Sequence, residues 1–317
     1  MPNKLDISVE AVLLSLFPPG TRVIHSQPHR PDYRRYPMCV HLQTLGDGAR
    51  RCVVKINLPG LIEREVKALR LLSRVGLAVP EVLFDPVPLP SEERTSEERT
   101  SEERTLVVLS ELPGRSLPWC GITSLAEANL ACRLTLEGVA RLHHLTARVQ
   151  DDAASLFPQN TLAAEYASTV ADRGEWRNVG IFHEAVEAVG ATLAEADTPL
   201  VFSNGDYNPL NFLCDGQALS GFIDFEGACF ENPHIGFAKF LVWSRDEYGW
   251  GTGKKAGLVE RYLYTRNVSR RAFAPILVLR CLRHLIREIS LTGSKDEAAR
   301  EHILQLIAEG VQTIERE

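Results

Sequence analysis

The segment from Val201 to Glu226 constrains this chain most. Asp206 and Asn211 lie five residues apart, and Asp224 follows thirteen residues after Asn211. Between them run two apolar stretches, Phe212 to Cys214 and Ala218 to Ile223, on either side of Asp215 and Gly216. An Asp-Gly pair between β-type runs is a strong hairpin signal, because a tight two-residue turn needs positive φ angles that glycine adopts freely. In a hairpin the start of the first strand and the end of the second lie side by side. Asn211 and Asp224 are therefore expected to meet at the open end, with Asp206 in the loop beside them. Two carboxylates and an amide make an oxygen-rich set. Such a set suits Mg²⁺, which takes one or two carboxylates and otherwise keeps waters and phosphate oxygens. The same residues would also serve a purely structural turn closing a hairpin, and upstream features decide between the two.

The motif G-D-x-x-x-x-N at 205–211, followed by I-D-F at 223–225, resembles the catalytic core of the aminoglycoside phosphotransferase and choline kinase-like family. Those small-molecule kinases share the two-lobed protein-kinase fold, and the parallel with the H-R-D-x-x-x-x-N and D-F-G elements of protein kinases is direct. The resemblance implies that Asp206 receives the proton of the substrate hydroxyl and that Asn211 and Asp224 hold Mg²⁺.

Upstream, three β-like runs are expected at Thr21 to Ser26, Tyr36 to Thr44 and Arg51 to Asn57, after a short amphipathic helix over residues 7–17. Lys55 sits inside the apolar run Cys52 to Ile56. The family places its ATP-phosphate lysine in such a V-x-K strand, so the resemblance gives Lys55 the α- and β-phosphates. The next helix, Leu61 to Val75, has an apolar stripe of Ile62, Val66, Leu69 and Leu72. At about 100° per residue, Glu65 falls inside that stripe and Glu63 outside it. A carboxylate on a buried face needs a partner. Lys55 is the natural one, as in the lysine–glutamate pair of kinases; Arg64 and Lys67 are the local alternatives. Gly76 to Phe84 resembles the family's loop and fourth strand. Leu106 to Gly114 resembles the fifth strand and the hinge, with Leu109, Ser110, Glu111 and Leu112 as the backbone segment that would bind the nucleobase.

Three departures from the family pattern stand out. The connection 25–35 contains no glycine where a Gly-rich phosphate cover is expected, and Arg30, Arg34 and Arg35 are side-chain candidates for that role. Asn204 stands where a His often precedes Gly-Asp. Gly236 stands where the family often carries an Asp that braces the catalytic loop. The five residues Ser91 to Thr95 are repeated unchanged three times, to Thr105. Each copy carries a charge of −1 and no apolar side chain, so the run cannot join a core and reads as an expanded loop.

The rest of the chain is expected to be mainly helical, at Leu125 to Val149 and about 160–172, 182–196, 253–266, 270–291 and 295–315. His143 and His144, near the end of the first of these, are read as packing and hydrogen-bonding groups, and Trp176 as core. Asp246, Glu247, Tyr248 and Trp250 are candidates for the acceptor site that the family builds in this region.

The 317 residues suffice for two lobes with real cores, and 44% apolar with 24% charged residues is an ordinary globular composition. The net charge of −6 argues against a nucleic-acid partner, and the seven scattered cysteines fit reduced thiols in a cytoplasmic protein. No run approaches a membrane span. The expected fold class is thus α/β (α+β), with a nucleotide-binding lobe over 1–112 and a mostly helical catalytic lobe over 113–317. The expected activity is transfer of the γ-phosphoryl group of ATP or GTP, with Mg²⁺, to a hydroxyl of a small molecule. A catalytically inactive kinase fold acting as a nucleotide-binding scaffold is the alternative, and a protein kinase is disfavoured by the missing H-R-D and A-P-E elements.

Overall fold

The computed structural model describes residues 5–29, 36–45, 48–90, 103–117, 124–153, 156–242, 256–289 and 297–316. Arg30, Arg34, Arg35, most of the repeat, and Asp246, Glu247, Tyr248 and Trp250 lie outside them. The chain forms two compact units: residues 1–115 with 213–228, and 116–212 with 229–317. A cut at 112/113 differs from this division chiefly in that 213–228 belongs to the first unit.

The first unit is an antiparallel sheet of order β1-β2-β3-β5-β4, with β1 Arg22–Pro28, β2 Met38–Thr44, β3 Gly48–Asn57, β4 Val87–Pro88 and β5 Thr105–Ser110. Alternation along β3 sends Cys52 and Val54 into a core with Met38, Val40, Leu42, Leu106 and Val108, covered by α1 (Ile7–Ser15) through Leu13. Lys55 pairs with Val107 and points to the other face. The expected fourth strand over 76–84 is realised only partly. Backbone bonds join Glu81 and Leu83 to β5, with an isolated bridge at Val82, before the short β4. Pro80 just ahead lacks the N–H that a longer ladder would use.

Helix α2 (Pro59–Arg74) starts on a proline at its first turn, where no N–H is needed. It buries Ile62, Glu65, Val66, Leu69 and Leu72. Strand β6 (Arg115–Ser116) lies beside β9 (Phe212–Asp215), and β9 turns into β10 (Ala218–Phe222). Gly216 takes φ 59° in that turn, so the Asp-Gly signal is the hairpin.

The second unit is mostly helical: α3 Leu125–His144, α4 Thr146–Ala153, α5 Leu162–Ala171, α6 Gly180–Ala196, α7 Ile235–Val242, α8 Leu258–Arg266, α9 Arg270–Glu288 and α10 Glu297–Glu315. Helix α9 lies at its centre, packed against α5, α6, α7 and α10. The single helix expected over 125–149 is broken at Leu145. The Thr146 hydroxyl donates to the His143 carbonyl and accepts from the Phe202 amide, which ties the break to β8 (Val201–Ser203). A small sheet sets β8 antiparallel and β7 (Gln159–Asn160) parallel to β11 (Cys229–Glu231). Trp176 is buried. The six described cysteines are buried and unbridged. No helix among the described residues is long and apolar enough to cross a membrane.

Candidate active site

In the first unit, one ammonium is shared by three carboxylates. Lys55 Nζ lies 2.8 Å from Glu65 Oε2, 2.7 Å from Asp224 Oδ1 and 2.8 Å from Glu226 Oε2. Strand β3 aims Lys55 away from the α1-covered core, and the stripe of α2 buries Glu65 to 1% exposure. Local competition does not occur: Lys67 pairs with Glu63 at 2.6 Å on the exposed face, and Arg64 reaches toward the Glu226 carbonyl at 3.5 Å. The rotation argument that separated Glu65 from Glu63 therefore holds.

Asp224 follows β10 with φ 67°, a left-handed conformation in which a non-glycine residue is uncommon and Asp is among those that tolerate it. In this turn both Asp224 and Glu226 reach Lys55, and the Phe225 amide donates toward Glu65 Oε1 at 3.4 Å. Asn57 donates to Glu226 at 2.8 Å. Glu226 and Asn57 were not expected from sequence. The only signal for Glu226 was a carboxylate two residues past Asp224, and in a regular strand it would share a face with Asp224.

The charges oppose one another in an orderly way. Burial alone would push the Lys55 ammonium down; Glu65, then Asp224 and Glu226, overcome this and hold it above the ordinary lysine value. Burial raises Glu65, and Lys55 pulls against that rise. The cluster thus sets three carboxyl groups against one ammonium.

The second unit holds Asp206 and Asn211 in a loop between β8 and β9. Asn211 Nδ2 donates to the Asp206 carbonyl at 3.0 Å and lies 3.5 Å from its Oδ2. Asp206 Oδ1 accepts from the Asn208 amide at 3.3 Å, and Asn208 in turn caps a single helical turn at Pro209–Asn211. Asn204, at the position that often carries His, brackets Asp206. Its Nδ2 donates to the Asp206 carbonyl at 2.8 Å, and its Oδ1 accepts from the Asp206 amide at 3.3 Å. Lys239 donates to the Gly205 carbonyl at 2.7 Å and lies 3.8 Å from Asp206 Oδ1.

Gly236, where a bracing Asp was expected, has a different use. A Cβ built there would stand 2.1 Å from Tyr207 Cδ2, so the missing side chain is space taken by the Tyr207 ring. That ring is fully buried and its hydroxyl meets His143 Nε2 at 2.7 Å. Burial, with Arg266 and His234 adding to it, pushes His143 down to about 3, so the imidazole is neutral. His144 bonds the Ala140 carbonyl of its own helix. Both histidines have the structural roles expected of them.

In the hinge segment, Ser110 ends β5, exchanges backbone and hydroxyl bonds with Glu81, and is followed by Glu111, whose carboxylate holds Arg51 at 2.8 Å. Leu112 packs near Gly221 of β10. Among the described residues no cluster of three or more His, Cys, Asp or Glu has metal-site geometry. The expected Asn–Asp ligand pair is of another kind: Asn211 belongs to the second unit and Asp224 to the first.

Residues 41–274 match the family model described as "Phosphotransferase enzyme family". No curated protein sequence matches the chain significantly. Among solved structures, it is similar to a thermostable mutant of aminoglycoside phosphotransferase APH(4)-Ia in ternary complex with ADP and hygromycin B, at 15% identity, 96% of this chain and 98% of that chain, and TM-score 0.63. It is similar also to wild-type aminoglycoside 2'-phosphotransferase-IIIa in complex with GDP, at 14% identity, 97% and 99% coverage, and TM-score 0.62. At these identities the likeness is one of fold, and it is the kinase-like fold expected from the motifs.

Proposed function

We propose that this chain, which belongs to the phosphotransferase enzyme family, transfers the γ-phosphoryl group of ATP or GTP to a hydroxyl of a small molecule. The observation that carries the reading is the buried Lys55 held among Glu65, Asp224 and Glu226. A lysine fixed on a strand by a helix carboxylate is oriented to meet phosphate oxygens, and Glu65 keeps it there. Glu226, partly exposed, adds a second fixing contact.

The chemistry of the proposed ligands suits Mg²⁺. Asp224 in the first unit and Asn211 in the second would each give the metal an oxygen ligand, and the excess of carboxyl groups over ammonium around Asp224 is the charge balance a divalent cation would complement. When bound, the metal supplies neutralisation of phosphate charge. Asp206 accepts a hydrogen bond from the acceptor hydroxyl and takes its proton as the acceptor oxygen bonds the γ-phosphorus and the bond from that phosphorus to the departing nucleoside diphosphate breaks. Backbone groups at Ser110, Glu111 and Leu112 receive the nucleobase. The solved neighbours bind ADP and GDP, which supports a purine nucleotide without choosing between the two. The acceptor is a hydroxyl-bearing compound such as an aminoglycoside-like antibiotic, an amino alcohol or a sugar. Hygromycin B in one neighbour is a member of this class. The partner is thus a small molecule, not nucleic acid or a membrane, and the setting is cytoplasmic.

Against the inactive-scaffold alternative stands the bracing of the Asp206 loop. Asn204 bonds both backbone groups of Asp206, and Tyr207 occupies the space over Gly236. Two of the three departures that favour an inactive protein are thereby accounted for as substitutions that keep the loop in place; the third, the glycine-free connection 25–35, lies partly outside the described residues. The test is a panel of hydroxyl compounds screened for stimulated ADP release. Asp206→Ala and Asp224→Ala should each abolish turnover in a folded protein, and turnover retained in purified Asp224→Ala would sink the assignment.

A further inference from the structure

The segment ahead of Asp206 is gripped from both sides, by one near neighbour and by one side chain remote in sequence. The Gly205 amide donates to Ser203 Oγ at 2.9 Å, and the Gly205 carbonyl accepts from Lys239 Nζ at 2.7 Å. Gly205 takes φ 79°, so the chain bends here in a conformation that a side chain would strain. Ser203 also bonds Glu231, and its hydroxyl hydrogen is available for that carboxylate because its lone pair has taken the Gly205 amide. It meets the Tyr207 hydroxyl as well. Glu231 is 6% exposed on β11 and feels the attraction of Lys239 on α7, with Arg280 as a further cation near it. Gly205 is thus held at its amide by Ser203, which bonds Glu231, and at its carbonyl by Lys239, whose charge attracts Glu231 across space.

We propose that Glu231 and Lys239 are positioning residues, a buried carboxyl group and a largely buried ammonium that hold Gly205 from its two sides, Glu231 through Ser203, and so fix where the Asp206 carboxylate stands. This rests on the phosphoryl-transfer reading only for its consequence in turnover. Burying a carboxylate and an ammonium is costly unless each is paired and hydrogen-bonded. Lys239 makes its hydrogen bond to the Gly205 carbonyl, and Ser203 its bond to the Gly205 amide, with Gly205 in its bent position, so movement of the loop breaks both. Lys239 also brings a positive charge to 3.8 Å from Asp206 Oδ1. A loop displacement of the order of 1 Å costs about a hundredfold in rate when the displaced group acts on the reacting atoms.

Two readouts test the clamp. The first is amide hydrogen exchange at residues 204–207, which needs no turnover. In Lys239→Met the exchange should quicken at these amides while α9 keeps its protection, and Lys239→Arg should restore slow exchange. Unchanged exchange at 204–207 in Lys239→Met overturns the clamp. The second is ADP release from ATP and Mg²⁺ alone. Lys239→Met should lower kcat by about ten- to a hundredfold with the nucleotide KM nearly unchanged, and Lys239→Arg should recover most of it. The double variant Lys239→Met with Glu231→Gln should lose less than the product of the single losses. A raised KM with kcat intact overturns the proposal. If the exchange result holds in a protein that neither binds nor turns over nucleotide, the clamp stands and the phosphoryl-transfer reading falls.

Discussion

Replacing Gly236 with alanine sets two effects of opposite sign against each other. Gly236 is the second residue of α7, and alanine is favoured over glycine in a helix by at most about 1 kcal/mol. The added methyl would stand 2.1 Å from Tyr207 Cδ2 and 2.4 Å from Cε2, where carbon atoms at rest prefer about 3.5–4.0 Å. Tyr207 cannot swing aside cheaply, because it is fully buried, bonded to His143, and packed beside Phe237 at 5.7 Å between ring centroids. Overpacking of this kind costs about 1–3 kcal/mol, so the steric effect wins and Gly236→Ala is destabilising. The strain falls on the residue next to Asp206, so turnover should drop as well. Urea unfolding measures the first effect and ADP release the second. In a Tyr207→Ala background the clash is gone, and Gly236→Ala should become neutral or slightly stabilising. The double-mutant cycle should then show a coupling of about 1–3 kcal/mol. A Gly236→Ala protein as stable as the parent, or an equal effect in both backgrounds, refutes the claim that this glycine is space for Tyr207.

Lys55→Met leaves Glu65 buried without its cation, and the loss should be about 3–5 kcal/mol in urea unfolding; adding Glu65→Leu should recover much of it, and no recovery would mean the pair is not what Lys55 supports. Burial, with Arg266 adding repulsion, holds His143 near 3 and His234 at about 4, while an unfolded histidine titrates near 6.5. Both folded pKa values are depressed, so the unfolded chain binds more protons in this window. The stability contributed is present above about pH 6.5 and is lost as the pH falls toward the folded values. Urea midpoints should fall between about pH 7 and pH 5, with no titration of either imidazole by NMR over that range; a midpoint near 6 for His143 would show it is not held neutral.

What sequence revealed of this protein follows from what kind of regularity each feature has. The Asp-Gly hairpin and the Lys55–Glu65 pair rest on local periods, two for β3 and 3.6 for α2, and both appear in the structure as read. Glu226 escaped because its segment is irregular. A period-two rule cannot follow a chain that turns through a positive φ at Asp224. The break at Leu145 escaped because the apolar period runs through it; what interrupts the helix is Thr146 bonding Phe202, far along the chain. Asn204 and Gly236 looked like losses while each was judged alone. Their compensation lies in partners that only the fold brings near, the backbone of Asp206 for one and the ring of Tyr207 for the other. The grouping of Ser203, Glu231 and Lys239 about Gly205 has no sequence signature, since it draws on a strand end, a second strand and a helix turn.

The interleaving of the two units sets a timetable for synthesis. Lys55 leaves the ribosome 169 residues ahead of Asp224, and Glu65 160 residues ahead of Phe225, in the turn whose carboxylates at 224 and 226 share the ammonium. Nascent chains fold domain by domain from the N-terminus, but here the first unit lacks residues 213–228 until all of 116–212 has been made. Stopping translation anywhere in 116–212 thus leaves both units incomplete. A fragment ending at residue 115 is an unfinished object, and the last piece of the first unit arrives from within the second.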